Sequence, residues 1–393
     1  MVRVALAAVL IASCRSGDGG VGVGADAPAY VPPAGETSLG SVPIGRRSSP
    51  LVLSMGGDVL VFGGASEGGA EDPLSFQPLS DGAMFTRAGE WKRIPDLTGT
   101  VPVKNPVGLW NGRIAIVVGT LCNNRQQHSD DDERCFPGSV GLVTYDPVAN
   151  EWAIREGPPA EFVAGSDGQA LDPLYATAGR AYFSIDDRIW SVDFDGWAWR
   201  SEQSTGTFIS GCRTSESFVV IDYDTVGDPV EQTEAANPTV YVLEGGTVHG
   251  PLQPPSSSTT PQRFSVACGQ RDALLYASDF SDAWHLNTET LAFRPVSAPP
   301  KFQEGLVLQA VAVGTDDVLL WDSLGPRSWL LDVADGDWTV LPRGPRLKTA
   351  VWTGSWIFGI GEPSTSDPGT EPDDAPWIVA WNPQRGPDST VGG

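Results

Sequence analysis

Apolar and polar positions alternate in short runs along most of this chain, and a tight polar turn usually separates two such runs. In residues 138–159, Leu142 and Thr144 alternate with small or polar neighbours, and Trp152 and Ile154 resume the alternation after a turn. Alternation with a period of two is typical of a half-buried β-strand. The turn contains Asp-Pro, and both residue types favour turns. The segment therefore predicts a β-hairpin.

The same hairpin returns at a regular distance. In four copies, the aromatic residue that opens one strand comes six positions after the Asp or Asn that ends the strand before it. The four pairs are Asp146–Trp152, Asp193–Trp199, Asn287–Phe293 and Asp332–Trp338. Their aromatic residues follow one another at 47, 94 and 45 residues, and a degenerate copy at 240–248 fills the double gap. A period of about 45 residues, built of short strands without helical segments, is typical of the blades of a β-propeller.

Seven apolar runs predict the second strands of seven blades, and six blades are the alternative. The innermost strands are expected to begin near Pro50, Val103, Pro173, Thr207, Arg263, Leu306 and Lys348. The last blade lacks an outer strand, and residues 38–43 resemble the outer strands of other blades. We therefore expect an all-β propeller over residues 38–386, closed by an N-terminal strand that completes blade seven, with a tail at 387–393. Such closure removes exposed sheet edges.

Two motifs relate this propeller to a known family. The VFGG of Val61 to Gly64 and the YDPVANEW of residues 145–152 resemble Kelch repeats, as found in Kelch-type propellers and in the central domain of galactose oxidase. The resemblance covers residues 38–386 and is best in blades one and two. It implies the fold and a ligand bound over the mouth of the central channel. Copper oxidation needs two His, a Tyr and a Cys–Tyr cross-link, and the three histidines here fall at unsuitable places.

The N-terminus resembles the signal peptide of a bacterial lipoprotein. A basic start precedes an apolar run from Val4 to Ile11, and Ile11 to Cys14 resembles a lipobox. The run is too short to span a bilayer, so residues 1–13 are interpreted as a cleaved signal. Cys14 would then carry the lipid, with residues 14–37 as a flexible tether and the outer leaflet of the bacterial membrane, at the cell surface, as the location. The alternative is an ordinary signal peptide with an incidental Cys.

Export makes the remaining four cysteines candidates for disulfides. Cys122 and Cys135 bracket one loop and would join its base. Cys212 and Cys268 each follow a Phe by four residues in predicted innermost strands of adjacent blades. Those two could form a disulfide or remain as two buried thiols.

The net charge of −24 argues against nucleic acid and anionic membranes as binding partners, because both need a basic surface. Part of the acidity lies in long loops, as in Asp130, Asp131 and Asp132. Oxygen ligands at this density suit Ca²⁺, so calcium is the one candidate cofactor and these three residues its candidate ligands. Solvated negative loops are the alternative interpretation.

Charged and polar residues also cluster where the innermost strands begin. In a propeller these ends surround the channel mouth, on the same side as the long connections between second and third strands. The residues are Arg46, Arg47, Lys104, Asn105, Asp172, Arg263, Gln303, Glu304, Arg346 and Lys348. A cationic mouth could bind a carboxylate or another anion through bidentate Arg contacts. Alternatively, these charges are solvated loop ends or pair with the acidic loops.

No catalytic motif accompanies this fold prediction, so no catalytic residue is assigned. The sequence favours a monomeric, surface-anchored propeller that binds a protein or a glycan through its loop-rich face. The alternative is an enzyme, a glycan hydrolase or lyase, with Asp172 or Glu304 as acid or base at the mouth. A structural spacer in an envelope assembly is a third hypothesis, on which the sequence is silent.

Overall fold

The protein is all-β. The computed structural model describes residues 29–382, apart from gaps at 34, 67–76, 98–102, 122–138, 160–170, 186–187, 202–207, 215–216, 226–234, 245–246, 256–263, 270, 278–279, 304–305, 307, 315–316, 323–324, 326, 342–346 and 362–376. No helix occurs among these residues, and hence none that is long and apolar enough to cross a membrane.

Seven four-stranded antiparallel sheets form the blades of a β-propeller, which confirms the seven-blade prediction over six. Every innermost strand begins within two residues of the predicted position, from Leu51 in blade one to Leu347 in blade seven. The chain divides into two compact units. One contains blades seven, one, two and three, from residues 23–185, 190–202 and 343–393, and is called the four-blade unit. The other, the three-blade unit, contains blades four to six within residues 186–189 and 203–342.

The strands are numbered in chain order. The first two are β1 (Gly35–Ser38) and β2 (Arg47–Ser48). Blade one contains β3 (Leu51–Met55), β4 (Asp58–Phe62), β7 (Gly82–Phe85) and β8 (Trp91–Ile94), with β5 (Ala65–Ser66) and β6 (Gln77–Pro78) inserted. Blade two contains β9 (Val103–Trp110), β10 (Ala115–Leu121), β11 (Ser139–Asp146) and β12 (Glu151–Arg155). Blade three contains β13 (Leu171–Ala176), β14 (Arg180–Ile185), β15 (Arg188–Asp193) and β16 (Trp199–Ser201).

The remaining strands follow the same order. Blade four contains β17 (Phe208–Arg213), β18 (Ser217–Thr225), β19 (Ala235–Glu244) and β20 (Thr247–Leu252). Blade five contains β21 (Phe264–Cys268), β22 (Asp272–Ala277), β23 (Ala283–Asn287) and β24 (Ala292–Pro295). Blade six contains β25 (Leu308–Val313), β26 (Asp317–Asp322), β27 (Ser328–Asp332) and β28 (Asp337–Leu341). Blade seven contains β29 (Leu347–Trp352), β30 (Ile357–Gly361), β31 (Ile378–Asn382) and β1.

The fourth strand of blade seven comes from the N-terminal side of the chain. Gly35–Ser38 pairs antiparallel with β31, so the strand lies slightly upstream of the predicted residues 38–43. The segment before it also packs on the four-blade unit. The Tyr30 ring lies edge-on to Phe85 and Trp356, and the Trp356 indole N–H donates to the Tyr30 carbonyl at 3.0 Å. The last described residues of the predicted tether are therefore part of the fold.

The recurrent Asp or Asn of the sequence repeat is the cap of a turn. In four blades its side-chain oxygen accepts the backbone N–H two or three residues on, which is the bond that makes these residue types favour turns. In blade three, bonds from the amides of Gly196 and Asp195 hold the pKa of the Asp193 carboxyl below its usual value. The four capping residues are Asp146, Asp193, Asn287 and Asp332.

The recurrent aromatic residue joins one blade to the preceding one. The Trp152 indole N–H donates to the carbonyl of Pro95, which directly follows the last strand of blade one, at 2.9 Å. Trp91, Trp199 and Trp338 donate in the same way to Leu39, Glu156 and Ser297, each just after the last strand of the preceding blade, at 2.8 to 3.0 Å. We call these four contacts the interblade tryptophan bonds. Each bond gives the indole N–H an acceptor on the neighbouring blade, which a Phe at the same position could not use.

Blade five departs from this rule. Its corresponding residue is Phe293, which has no N–H to donate. Blades four and five are instead joined covalently, because Cys212 in β17 and Cys268 in β21 form a disulfide with Cα atoms 5.5 Å apart. This outcome decides between the two sequence interpretations of these cysteines, a bridge or two thiols, in favour of the bridge. Cys122 and Cys135 lie outside the described residues.

Candidate functional site

A pocket of about 310 Å³ lies where the innermost strands of blades seven, one and two begin. Its lining comes from three short stretches, residues 46–50 before β3, residues 105–107 in β9 and residues 348–349 in β29. The end of β30 and Trp377, just before β31, complete it. All of these residues belong to the four-blade unit. The pocket lies on the side from which the connection between the second and third strands of blade seven starts, because the end of β30 lines it; that it binds a ligand stays a prediction.

The charged part of the lining is entirely positive. Arg46, Arg47 and Lys348 face the pocket, and none of its described lining residues is an Asp or a Glu. This is notable in a chain with 49 acidic and 25 basic residues. A positive recess in a strongly negative protein attracts anions. The electrostatics of the pocket therefore favour an anionic group.

Arg47 holds the wall of this pocket. Its side chain is only 1 % exposed, and its Nη1 lies 2.9 Å from the Asp81 Oδ1, while Nη2 lies 3.3 Å from Oδ2. The guanidinium also donates to the carbonyls of Gly45, Gly63 and Asp81. A guanidinium has five N–H groups, so this network leaves at most one for a ligand. Arg47 consequently has a mainly structural role in the pocket.

The two glycines of the VFGG motif make this wall compact. Gly63 and Gly64 both have positive φ, at 63° and 82°. A Cβ on Gly64 would lie 2.5 Å from the Ser48 carbonyl oxygen, and one on Gly63 would lie 3.1 Å from that of Val103. The double glycine therefore lets the turn after β4 pass close to the backbone that lines the pocket.

Backbone irregularities shape two of the three stretches. In blade seven the pairing of β29 with β30 shifts between Leu347 and Thr349, which leaves Lys348 at a bulge. In blade two the pairing of β9 with β10 shifts opposite Asn105, whose φ is 49°. Bulges re-aim side chains and are frequent next to active sites. In the remaining stretch, residues 46–50, Ser49 also has a positive φ, at 46°. Such conformations persist only where the surrounding structure holds them, and they cluster at functional sites.

The rest of the lining mixes hydrogen-bonding and apolar groups. Ser48, Ser49, Asn105 and Thr349 supply hydroxyl and amide groups, and Trp377 supplies a partly buried aromatic ring. Pro50, Pro106, Val107 and Ile360 are the aliphatic lining residues. The pocket can therefore bind a small group that has both a negative charge and polar and apolar faces.

Of the charged and polar residues predicted at the mouth, the structure brings Arg46, Arg47, Asn105 and Lys348 together around this pocket. Lys104 and Asp172 lie in β9 and β13, but their side chains are outside the described part. Arg263, Glu304 and Arg346 fall outside the described residues, as do Asp130, Asp131 and Asp132, the candidate calcium ligands, and Cys14. Among the described residues, no cluster of three or more His, Cys, Asp or Glu could hold a metal ion.

Sequence reasoning missed Ser49 and Trp377. The sequence held a signal for Ser49, because a proline stands at the start of the innermost strand in blades one and two, as Ser49-Pro50 and Asn105-Pro106. In the structure the residue before each of these prolines has a positive φ. The corresponding Asp172-Pro173 of blade three lies beside a shift in strand pairing. Nothing in the sequence around Trp377 pointed to the pocket.

No protein-family model matches this chain, and a search of curated proteins finds no relative. The functional argument therefore depends on the pocket itself, since a shared fold does not imply a shared function.

Proposed function

We propose that this protein is an exported, lipid-anchored propeller of Kelch type that binds a protein or glycan ligand at the cell envelope. The observation that supports this most directly is the pocket at the start of the innermost strands, with Arg46 and Lys348 in its lining and no acidic residue among its described lining residues. The bulge at Lys348 and the positive φ of Asn105 and Ser49 add evidence for a built site. A binding role needs no catalytic group.

The test is capture of ligand from the native envelope by the immobilised chain from residue 15 onward. Arg46→Ala with Lys348→Ala is expected to abolish capture without lowering the melting temperature, because neither side chain is buried. Arg113→Ala with Lys92→Ala is the matched control, since both are exposed and neither lines the pocket. Arg47 is unsuitable for this test, because removing a buried partner of Asp81 would destabilise the fold. Equal capture by both double variants would contradict the proposed site.

The lipid anchor is a separate part of the proposal. Cys14 is the candidate acylated residue, in the lipobox-like sequence that ends at this position. Radiolabelled palmitate is expected to label the protein in its native host, and Cys14→Ala is expected to remove the label and release the chain from the membrane fraction. Unchanged labelling of Cys14→Ala would contradict the anchor and leave the binding site unaffected.

Calcium binding by the loop of Asp130, Asp131 and Asp132 is a further proposal. Calcium is expected to raise the melting temperature over that in chelator, and Asp131→Asn with Asp132→Asn is expected to remove the difference. Equal melting in calcium and in chelator would contradict it, because a bound ion at a concentration 100 times its Kd stabilises by about 2.7 kcal/mol.

A further inference from the structure

We infer that the pocket binds a carboxylated sugar, and this inference rests on the proposed function, which it narrows to one ligand class. The ligand would place its carboxylate at Arg46 and Lys348, its hydroxyls at the Ser and Asn side chains, and one ring face toward Trp377. A sugar acid of this kind combines charge, hydroxyl groups and a partly apolar ring in one small unit.

The charge step follows from the cations of the lining. The positive charge of Arg47 lies 2.9 Å from Asp81 and is largely enclosed. Arg46 and Lys348 add two further positive charges to the same lining. A guanidinium matches the two oxygens of a carboxylate, and an ammonium adds a point charge beside it. A planar carboxylate therefore suits this pair.

The backbone places an adaptable polar group on the blade-two stretch of the lining. Asn105 is exposed, lies at the shifted pairing of β9 and has a positive φ, which Asn tolerates better than most residues. Ser49 lies at the corresponding place in blade one, also with positive φ. Amide and hydroxyl groups can both donate and accept, as sugar hydroxyls do. Lining of this kind suits several hydroxyls better than a lone inorganic anion.

The apolar part of the lining distinguishes a sugar ring from a bare phosphate. Trp377 is partly buried, and two prolines of the lining, Pro50 and Pro106, lie nearby in the chain stretches of blades one and two. The face of an indole is negative, so it attracts the polarised C–H groups on the apolar face of a sugar ring. The volume of about 310 Å³ is at the low end for ligand pockets, which suits one ring rather than a folded peptide segment.

The experiment is titration calorimetry of the full soluble chain with D-galacturonic and D-glucuronic acid and their short oligomers. The controls are the neutral sugars D-galactose and D-glucose and an acidic peptide. At least one uronate probe is expected to bind, and its neutral counterpart to bind at least tenfold more weakly. Lys348→Ala is expected to weaken uronate binding at least tenfold, and Lys92→Ala to leave it unchanged. Asn105→Gly keeps the positive φ, removes the amide and is expected to weaken both uronate and neutral sugar.

The outcomes separate this inference from the proposed function. If the acidic peptide binds, loses affinity in Lys348→Ala, and no uronate binds, the sugar class is wrong and the binding site stands. If neither probe binds while the pocket variants lose capture of native envelope material, the sugar class is again wrong. If uronate binds equally well to wild type, Lys348→Ala and Asn105→Gly, the pocket is not its site. If, in addition, native capture is unaffected by the pocket variants, the proposed function of the pocket fails as well.

Discussion

Blades one and two are joined differently from blades four and five. The first pair is held by the Trp152–Pro95 hydrogen bond at its outer strands, with the Phe62 ring 4.2 Å from Trp152 in the shared core. The second pair has Phe293 in place of the tryptophan, and a disulfide joins its innermost strands. The difference teaches that the aromatic position of the repeat has two tasks, filling the core and bonding to the preceding blade. Phe293 performs only the first.

This contrast makes one unit sensitive to redox conditions. A disulfide persists in an oxidising compartment and is reduced in most cytosols. The interblade tryptophan bonds of four other blade pairs do not depend on redox state. Blades four and five, which have a disulfide in place of this bond, therefore depend in part on an oxidising compartment, which agrees with the proposed export.

The largest effect is expected from removing the disulfide. Cys212→Ser with Cys268→Ser is expected to lower the free energy of unfolding by about 2 to 5 kcal/mol, because the bridge restricts the unfolded chain. Chemical unfolding with and without reductant measures it. Reductant should destabilise the wild type more than the double variant, which still contains Cys122 and Cys135 and so controls for them. Equal sensitivity of the two would show that this bridge does not stabilise the blade pair.

A smaller loss is expected at the other pair. Trp152→Phe keeps an aromatic ring but removes the indole N–H, so the Pro95 carbonyl loses its donor. The expected cost is about 1 to 3 kcal/mol. Urea unfolding of the variant, with reductant present and absent, gives the number and shows whether it is independent of redox state. If Trp152→Phe lowered the free energy of unfolding only under reduction, the contact between blades one and two would depend on redox state, against this account.

The reverse exchange tests whether the two devices are equivalent. Phe293→Trp in the Cys212→Ser, Cys268→Ser background adds an indole N–H close to the carbonyls that follow β20. If the tryptophan position serves the same purpose in blade five, part of the lost stability, about 1 kcal/mol, should return. Phe293→Trp in the oxidised wild type is the matched control, in which little gain is expected. No recovery in the background without the Cys212–Cys268 bridge would show that blade five has lost the acceptor geometry too.

The smallest effect is a pH dependence in which the two regions should agree. Burial raises the pKa of Tyr145 in blade two and of Tyr276 in blade five to about 12. The unfolded phenols titrate near 10, so folded-state stability is complete below pH 10 and falls as pH rises toward 12. Ultraviolet titration should show late tyrosine ionisation that is reduced in Tyr145→Phe and reduced again in Tyr276→Phe. Titration curves unchanged by both substitutions, with the fold intact, would contradict this burial.

Most of the fold could be predicted because a propeller repeats its chemistry. The capping Asp146 and Asp193 and the paired Trp152 and Trp199 are local signals whose spacing reports the architecture without knowledge of contacts. The N-terminal strand was harder to locate, since a four-residue outer strand such as Gly35–Ser38 carries little pattern. Its position depends on pairing with β31, far away in the sequence.

The site was predictable as a region but not in its details. Charge alone placed Arg46, Arg47 and Lys348 at the start of the innermost strands. It could not show that Asp81 binds Arg47, because that contact depends on how the chain returns after the glycines at 63 and 64. Trp377 reaches the pocket only because blade seven folds against blade one. Such properties come from tertiary packing, which composition and spacing do not encode.

The most direct test of the binding site is hydrogen–deuterium exchange of the soluble chain with and without saturating uronate oligomer. The account predicts slower exchange in peptides that cover residues 46–50, 105–110 and 347–352, where the three lining stretches lie. It predicts no change in peptides around Arg113, in the hairpin at the far end of blade two. Protection near Arg113, or none in the three stretches with ligand bound, would contradict the placement of the site.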